Sequence, residues 1–133
     1  MTHEIPKFPM TELQWLKIHL RMAALEHGGS RLKYRFEFPG ELSISFACAV
    51  YFTDDESNSI AGISGDDRLE IYEGWVSLGM QIIRRAVEAA DLSANFQWNP
   101  VVRFELFEGY GMGSSLVHTI ERSFRWPEIA EAV

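Results

Sequence analysis

Hydrophobic positions along this chain repeat with two different periods. Residues 12 to 27 and 68 to 91 carry them at helical spacing, while residues 31 to 38, 42 to 53 and 96 to 107 alternate as half-buried strands do. The run Thr11-Glu-Leu-Gln14 has the form of a capping box, in which a threonine hydroxyl and a glutamine side chain satisfy orphan backbone donors. A first helix is expected from there to about His27, after a short Pro-bounded arm over His3 to Pro9. Gly28 and Gly29 stop it, because glycine accepts the left-handed conformation that ends a helix.

At 100° per residue this first helix has two apolar faces. Leu13, Leu16, Leu20, Ala23 and Ala24 form one, and Trp15, Ile18, Met22 and Leu25 form another nearly opposite. Gln14, Lys17 and Arg21 separate them on one side, and Glu12, His19 and Glu26 on the other. One sheet cannot cover both stripes. The second needs either another helix of the same chain or a twofold partner, and the latter makes Trp15, Ile18, Met22 and Leu25 a candidate homodimer interface.

Leu32, Tyr34, Phe36 and Phe38 share one face of the first strand, opposite Arg31, Lys33, Arg35 and Glu37. In the second, Leu42, Ile44, Phe46, Cys48, Val50 and Phe52 share a face. Pro39-Gly40 marks the turn between them. A three-residue loop would pair Phe38 with Leu42, Phe36 with Ile44 and Tyr34 with Phe46, keeping apolar residues opposite apolar ones and setting Cys48 against Leu32. Cys48 then lies in the core, where a thiol is a poor nucleophile. A short strand is expected around Ile60 to Ile63.

The second helix is expected over residues 68 to 91 with Asp67 as N-cap. Its polar residues, from Glu70 to Asp91, fall within an arc of about 120°, so it should be buried on more than one side. Gly74 and Gly79 each cost about 1 kcal/mol against alanine, so one of them is expected to mark a close crossing or a kink. Phe96 to Phe107 reads as a strand whose first half Pro100 makes an edge or a bulge. A third helix is expected from about Ser115 to Arg125, with Leu116, Val117, Ile120 and Phe124 as its stripe, ended by Trp126-Pro127 and followed by a short acidic tail. The fold class is therefore α+β, a single domain over residues 1–133. A small, mainly antiparallel sheet of three or four strands carries helices on one face, in the order α-β-β-(β)-α-β-α.

Composition adds constraints on environment. The 133 residues are 47% apolar and 23% charged, with one cysteine, so the chain can build a core without a disulfide or a zinc site. A reducing, cytoplasmic setting is the simplest reading, and no apolar run approaches the length needed to span a membrane. Twelve basic against nineteen acidic residues give a net charge of −7, which disfavours nucleic acid and suits a basic protein partner. Asp54, Asp55, Glu56, Asp66 and Asp67 are the densest acidic group, but Ser59 and Gly65 stand where a calcium loop needs glycine and glutamate. No metal site is expected. Arg31, Lys33 and Arg35 make a cationic strand face without aromatic stacking residues.

Gly109, Gly111 and Gly113, followed by Ser114 and Ser115, form the one loop with the shape of an anion site, between a strand and the positive N-terminus of the expected third helix. Glu108-Gly109-Tyr-Gly111-Met-Gly113 resembles the pyrophosphate loop of acetyl-CoA-dependent N-acetyltransferases. That resemblance implies a bound phosphate or CoA group, yet Glu108 stands where that family has a cation or an amide. Only 20 residues follow Gly113, too few for that fold's remaining elements. The spacing does not match a dinucleotide fingerprint or a P-loop. His118 with Ser114 or Ser115 has no third member and no oxyanion donors in view.

The chain also has four tryptophans, four tyrosines and nine phenylalanines, and Tyr34, Phe36, Phe46, Trp98 and Phe104 could line a cavity between sheet and helices. No cofactor is called for. The sequence favours a non-enzymatic interaction protein of the immunity, antitoxin, inhibitor or chaperone kind, working as a homodimer. Its element order is similar to that of the small acidic dimeric secretion chaperones. A small-molecule binder using the aromatic set and a transferase-like enzyme using the Gly109 to Ser115 loop are the alternatives.

Overall fold

The structure is a computed structural model that describes residues 11–27, 32–38, 42, 44–52, 63–109 and 113–127. Its elements follow in the order α1 (Glu12–His27), β1 (Leu32–Glu37), β2 (Ser45–Phe52), α2 (Gly65–Ala90), β3 (Val101–Glu108) and β4 (Ser115–Ser123). Outside the described residues lie the arm at His3 to Pro9, the stop at Gly28 and Gly29, Arg31, and the turn at Pro39-Gly40. So do the acidic loop from Asp54 to Ser59, the strand positions Ile60 to Gly62, Gly111, and the acidic tail.

Four strands form one sheet in the order β1-β2-β3-β4. The two outer pairs are antiparallel and the central pair, β2 with β3, is parallel. Parallel neighbours need a long crossover, and α2 supplies it, so the centre of the domain is a β-α-β unit with a hairpin strand added on each side. Tyr34, Phe36, Phe46, Cys48, Val50, Phe52, Val102, Phe104, Leu106 and Ile120 share one sheet face and join Leu16, Leu20, Ala23 and Ala24 of α1 and Trp75, Val76, Ile83 and Val87 of α2 in a single core. The domain is α+β, as the order of periods implied.

The caps are partly as expected. Thr11 N donates to Gln14 Oε1 at 2.9 Å, and Gln14 N donates to Thr11 Oγ1 at 3.1 Å, which closes the capping box. For α2 the N-cap is Ser64, three residues earlier than Asp67, and the Ser64 hydroxyl accepts from Asp67 N at 3.3 Å. Asp66 and Asp67 fall inside the first turn, where carboxylates oppose the positive helix end. Asp91, at φ 53°, closes the other end in the left-handed conformation.

Two elements differ from expectation. In the β1–β2 hairpin, Leu32 pairs with Phe52, Tyr34 with Val50 and Phe36 with Cys48, so the register is displaced by four residues from the one that a three-residue loop would give. An even displacement leaves every side chain on its face, which is why the apolar pattern fixed the facing and could not fix the pairing. Residues 42 and 44 are held elsewhere. Trp98 Nε1 donates to the Leu42 carbonyl at 3.0 Å, and Val101 N donates to that of Ile44 at 3.0 Å.

The helix expected over Ser115 to Arg125 is instead strand β4, antiparallel to β3. Ile120 and Phe124 are four apart, a spacing that suits both periods, and β-branched Val117, Thr119 and Ile120 favour the strand that β3 requires as a neighbour. Leu116 and Val117, expected in the helix stripe, are exposed, and a bulge between Leu106 and Phe107 separates the pairs Leu106–His118 and Phe107–Leu116. β3 itself begins at Val101. Ahead of it, Trp98 is tied to Trp126 by reciprocal backbone bonds of 2.7 and 2.8 Å, in keeping with Pro100 ending regular pairing.

The two helix glycines separate cleanly. A Cβ on Gly79 would lie 2.5 Å from Phe104 Cε1, whereas one on Gly74 would meet nothing within 4 Å. Gly79 therefore marks the place where α2 presses on the sheet.

Candidate functional site

Of the five aromatics expected to line a cavity, Phe36, Phe46 and Trp98 pack ring on ring. Phe46 stands 5.8 Å from Phe36 and stacks on Trp98 at 5.6 Å. Tyr34 donates its hydroxyl proton to the Trp75 carbonyl at 2.6 Å, which ties β1 to α2, and Phe104 abuts Gly79. All five are buried. Burial pushes the Tyr34 hydroxyl and the Cys48 thiol well above their ordinary pKa values, so both stay protonated and Cys48 is held as an inert core group.

The glycine loop joins two antiparallel strands, so no helix follows it. Gly109 takes a positive φ of 88° at the end of β3, and Ser115 pairs with Glu108. No helix dipole therefore acts at Ser114 and Ser115. His118, which projects toward α2, stacks on Tyr72 at 5.6 Å. Among the described residues no three His, Cys, Asp or Glu side chains group as a metal site would need, and no helix is long and apolar enough to cross a membrane.

The sheet face away from the helices carries alternating charge beside a stacked pair, Tyr51 and Phe107 at 5.1 Å, so, against expectation, it is not without aromatic residues. Across it run the rows Arg35, Ala49, Glu105, Thr119 and Glu37, Ala47, Arg103, Glu121. Ala47 and Ala49 are buried in this face, and the long charged side chains beside them pair along their own strands, Arg103 with Glu105 at 3.0 Å and Arg35 with Glu37 at 4.0 Å. Of the expected cationic strand face, Lys33 stands opposite Tyr51 and Arg35 opposite Ala49, in the register displaced by four residues. A nucleic-acid backbone would have to compete with these glutamates.

α1 has the surface that looks least finished. Its first stripe is in the core, with Leu16 and Leu20 fully buried, while Trp15, Ile18, Met22 and Leu25 are 41%, 38%, 55% and 84% exposed. α2 does not cover them. It meets α1 on the Glu12 side instead, where the Glu12 carboxylate accepts from Ser93 N at 2.7 Å and Ser93 Oγ at 3.1 Å. Trp15 donates its indole N–H to the Ala90 carbonyl at 3.0 Å, which satisfies one of the orphan acceptors at the end of α2. Trp15 thus braces the two helices and leaves Ile18, Met22 and Leu25 as the open part of the stripe.

On its other side α1 borders β1. A cavity of about 290 Å³ lies there between Arg21, Ala24 and Leu25 of α1 and Tyr34, Arg35 and Phe36 of β1. Lys17 and Arg21 both stand 5.1 Å from the Phe38 ring. Tyr34 and Phe36, two of the five aromatics expected to line a cavity between sheet and helices, line this one, but its cations were not foreseen, because only the packing of α1 over β1 brings Arg21 and Arg35 together. In comparison with known proteins, the chain matches no family model, and neither a curated protein nor a solved structure is significantly similar to it.

Proposed function

We propose that the chain is a non-enzymatic interaction protein that works as a homodimer through α1. The observation that carries this reading is the open stripe of Ile18, Met22 and Leu25 on a helix whose opposite face is already in the core. An apolar stripe of this kind is self-complementary under a twofold axis, since the same residues of two copies can face one another. The neighbouring polar side chains of α1 would form the rim, as interfaces of standard size require.

Sedimentation velocity of the parent protein and of Ile18→Glu tests the reading. The parent should sediment as a dimer and the variant as a monomer with unchanged circular dichroism. A parent that stays monomeric at the highest soluble concentration, or a variant that stays dimeric, overturns the contact.

A further inference from the structure

We propose that the groove between α1 and the outer edge of β1 binds an extended acidic peptide segment of another protein, which adds to the sheet as a strand beside β1. The inference deepens the reading of the chain as an interaction protein and does not depend on the dimer. Three observations carry it.

β1 is an end strand of the sheet, and among the described residues nothing pairs with its outer edge. An unpaired edge presents a row of backbone donors and acceptors to any extended chain. The two edges of this sheet are not alike. β4 carries a bulge in its pairing with β3, a feature that spoils an edge as a template, while β1 pairs with β2 through all six of its residues without a shift in register. At about 3.3 Å per residue that edge is roughly 20 Å long, enough for a strand of about six residues.

The cavity stands directly over this edge, and its lining is mixed in a useful way. Ala24, Leu25 and Phe36 offer apolar surface, and Arg21 and Arg35 flank it. Side chains of an added strand alternate between the two sheet faces, so every second residue would point toward α1 and the cavity. Apolar residues there would meet Ala24, Leu25 and Phe36.

The local charge is opposite to that of the whole chain, which is −7. Lys17 and Arg21 rest against the Phe38 ring, and among the described residues neither has a carboxylate within 4 Å. Among the described residues Arg35 pairs with Glu37 at 4.0 Å, with its side chain 70% exposed, a pairing weak enough to be exchanged. A segment whose carboxylates alternate with apolar residues turns those carboxylates to the sheet face of Arg35, within the longer-range field of Lys17 and Arg21, whereas a basic segment is repelled by all three cations.

The test uses the parent protein, a short fluorescent synthetic peptide alternating glutamate with valine, and its counterpart with lysine in place of glutamate. Fluorescence anisotropy should show the glutamate peptide binding at least about tenfold more tightly than the lysine peptide, and more weakly as salt is raised. Amide shifts in nitrogen-labelled protein should centre on residues 32 to 37. Arg21→Glu with Arg35→Glu should weaken the glutamate peptide by about tenfold or more. Both sites are exposed, and a milder pair, Arg21→Gln with Arg35→Gln, serves if the reversal impairs folding. No binding, equal binding of the two peptides, or shifts centred on residues 115 to 123 would overturn the proposal. A monomeric parent that binds the peptide leaves this groove standing and removes the dimer; a dimer that ignores the peptide does the reverse.

Discussion

α1 and α2 both carry apolar residues on more than one side, but most of that surface is buried in α2 and only half of it in α1. α2 is the crossover between two parallel, adjacent strands, so both of its ends are anchored at the middle of the sheet and it lies over the core along its length. α1 is joined to the sheet only through the chain leading into an edge strand, and it lies beside α2 and above β1. Its Leu16 face turns inward, while Ile18, Met22 and Leu25 on its other face stay exposed. Helical amphipathicity thus reports how much apolar surface a helix presents, whereas its place in the topology decides how much of that surface the same chain can cover.

The sharpest way to break this comparison lies within α1. Leu20→Ala should cost about 2–5 kcal/mol, because it empties a fully buried site, while Leu25→Ala should change the stability of the Ile18→Glu monomer by less than about 0.5 kcal/mol. Urea denaturation of both in that background measures the difference. Similar costs would mean that the second stripe is core. Within α2 the same test uses its glycines. Gly79→Ala should destabilise by about 1–3 kcal/mol, since its Cβ would overlap the buried Phe104 ring and outweigh the gain in helix propensity. Gly74→Ala, facing open space, should stabilise by up to about 1 kcal/mol, visible as a higher Tm.

The contrast can also be sharpened through pH. Tyr34 joins the sheet to α2, and Cys48 is fully buried on the same sheet face. Both have pKa values raised, mainly by burial, above ordinary values of 10.0 and 9.0. In the alkaline range the folded protein keeps protons that the unfolded chain has released, so stability falls as pH rises above those values, by up to about 1.4 kcal/mol per pH unit for each group. Below them the contribution is complete. Denaturation at about pH 8 and about pH 11 should show a steeper loss in the parent than in Tyr34→Phe with Cys48→Ala. Equal losses would mean that neither group is sealed between sheet and helix.

Much of the architecture was legible in the residues. Capping chemistry at Thr11 and Gln14 is local, and so is the facing of Tyr34, Phe36, Cys48 and Val50, since both depend on neighbours a few positions apart. Period and composition accordingly determined two helices, three strands, one core and an inert cysteine. Tertiary structure decided the rest. Ile120 and Phe124 fit a helix or a strand equally well, and the choice fell to the unpaired edge of β3. The hairpin register depended on Trp98 and Val101 holding residues 42 and 44, more than fifty positions away in sequence. The groove of Arg21, Arg35 and Phe36 exists only because α1 lies over β1. A pattern along the chain specifies which side of an element is apolar; which partner that side meets is set by contacts between distant segments, and no local period encodes them.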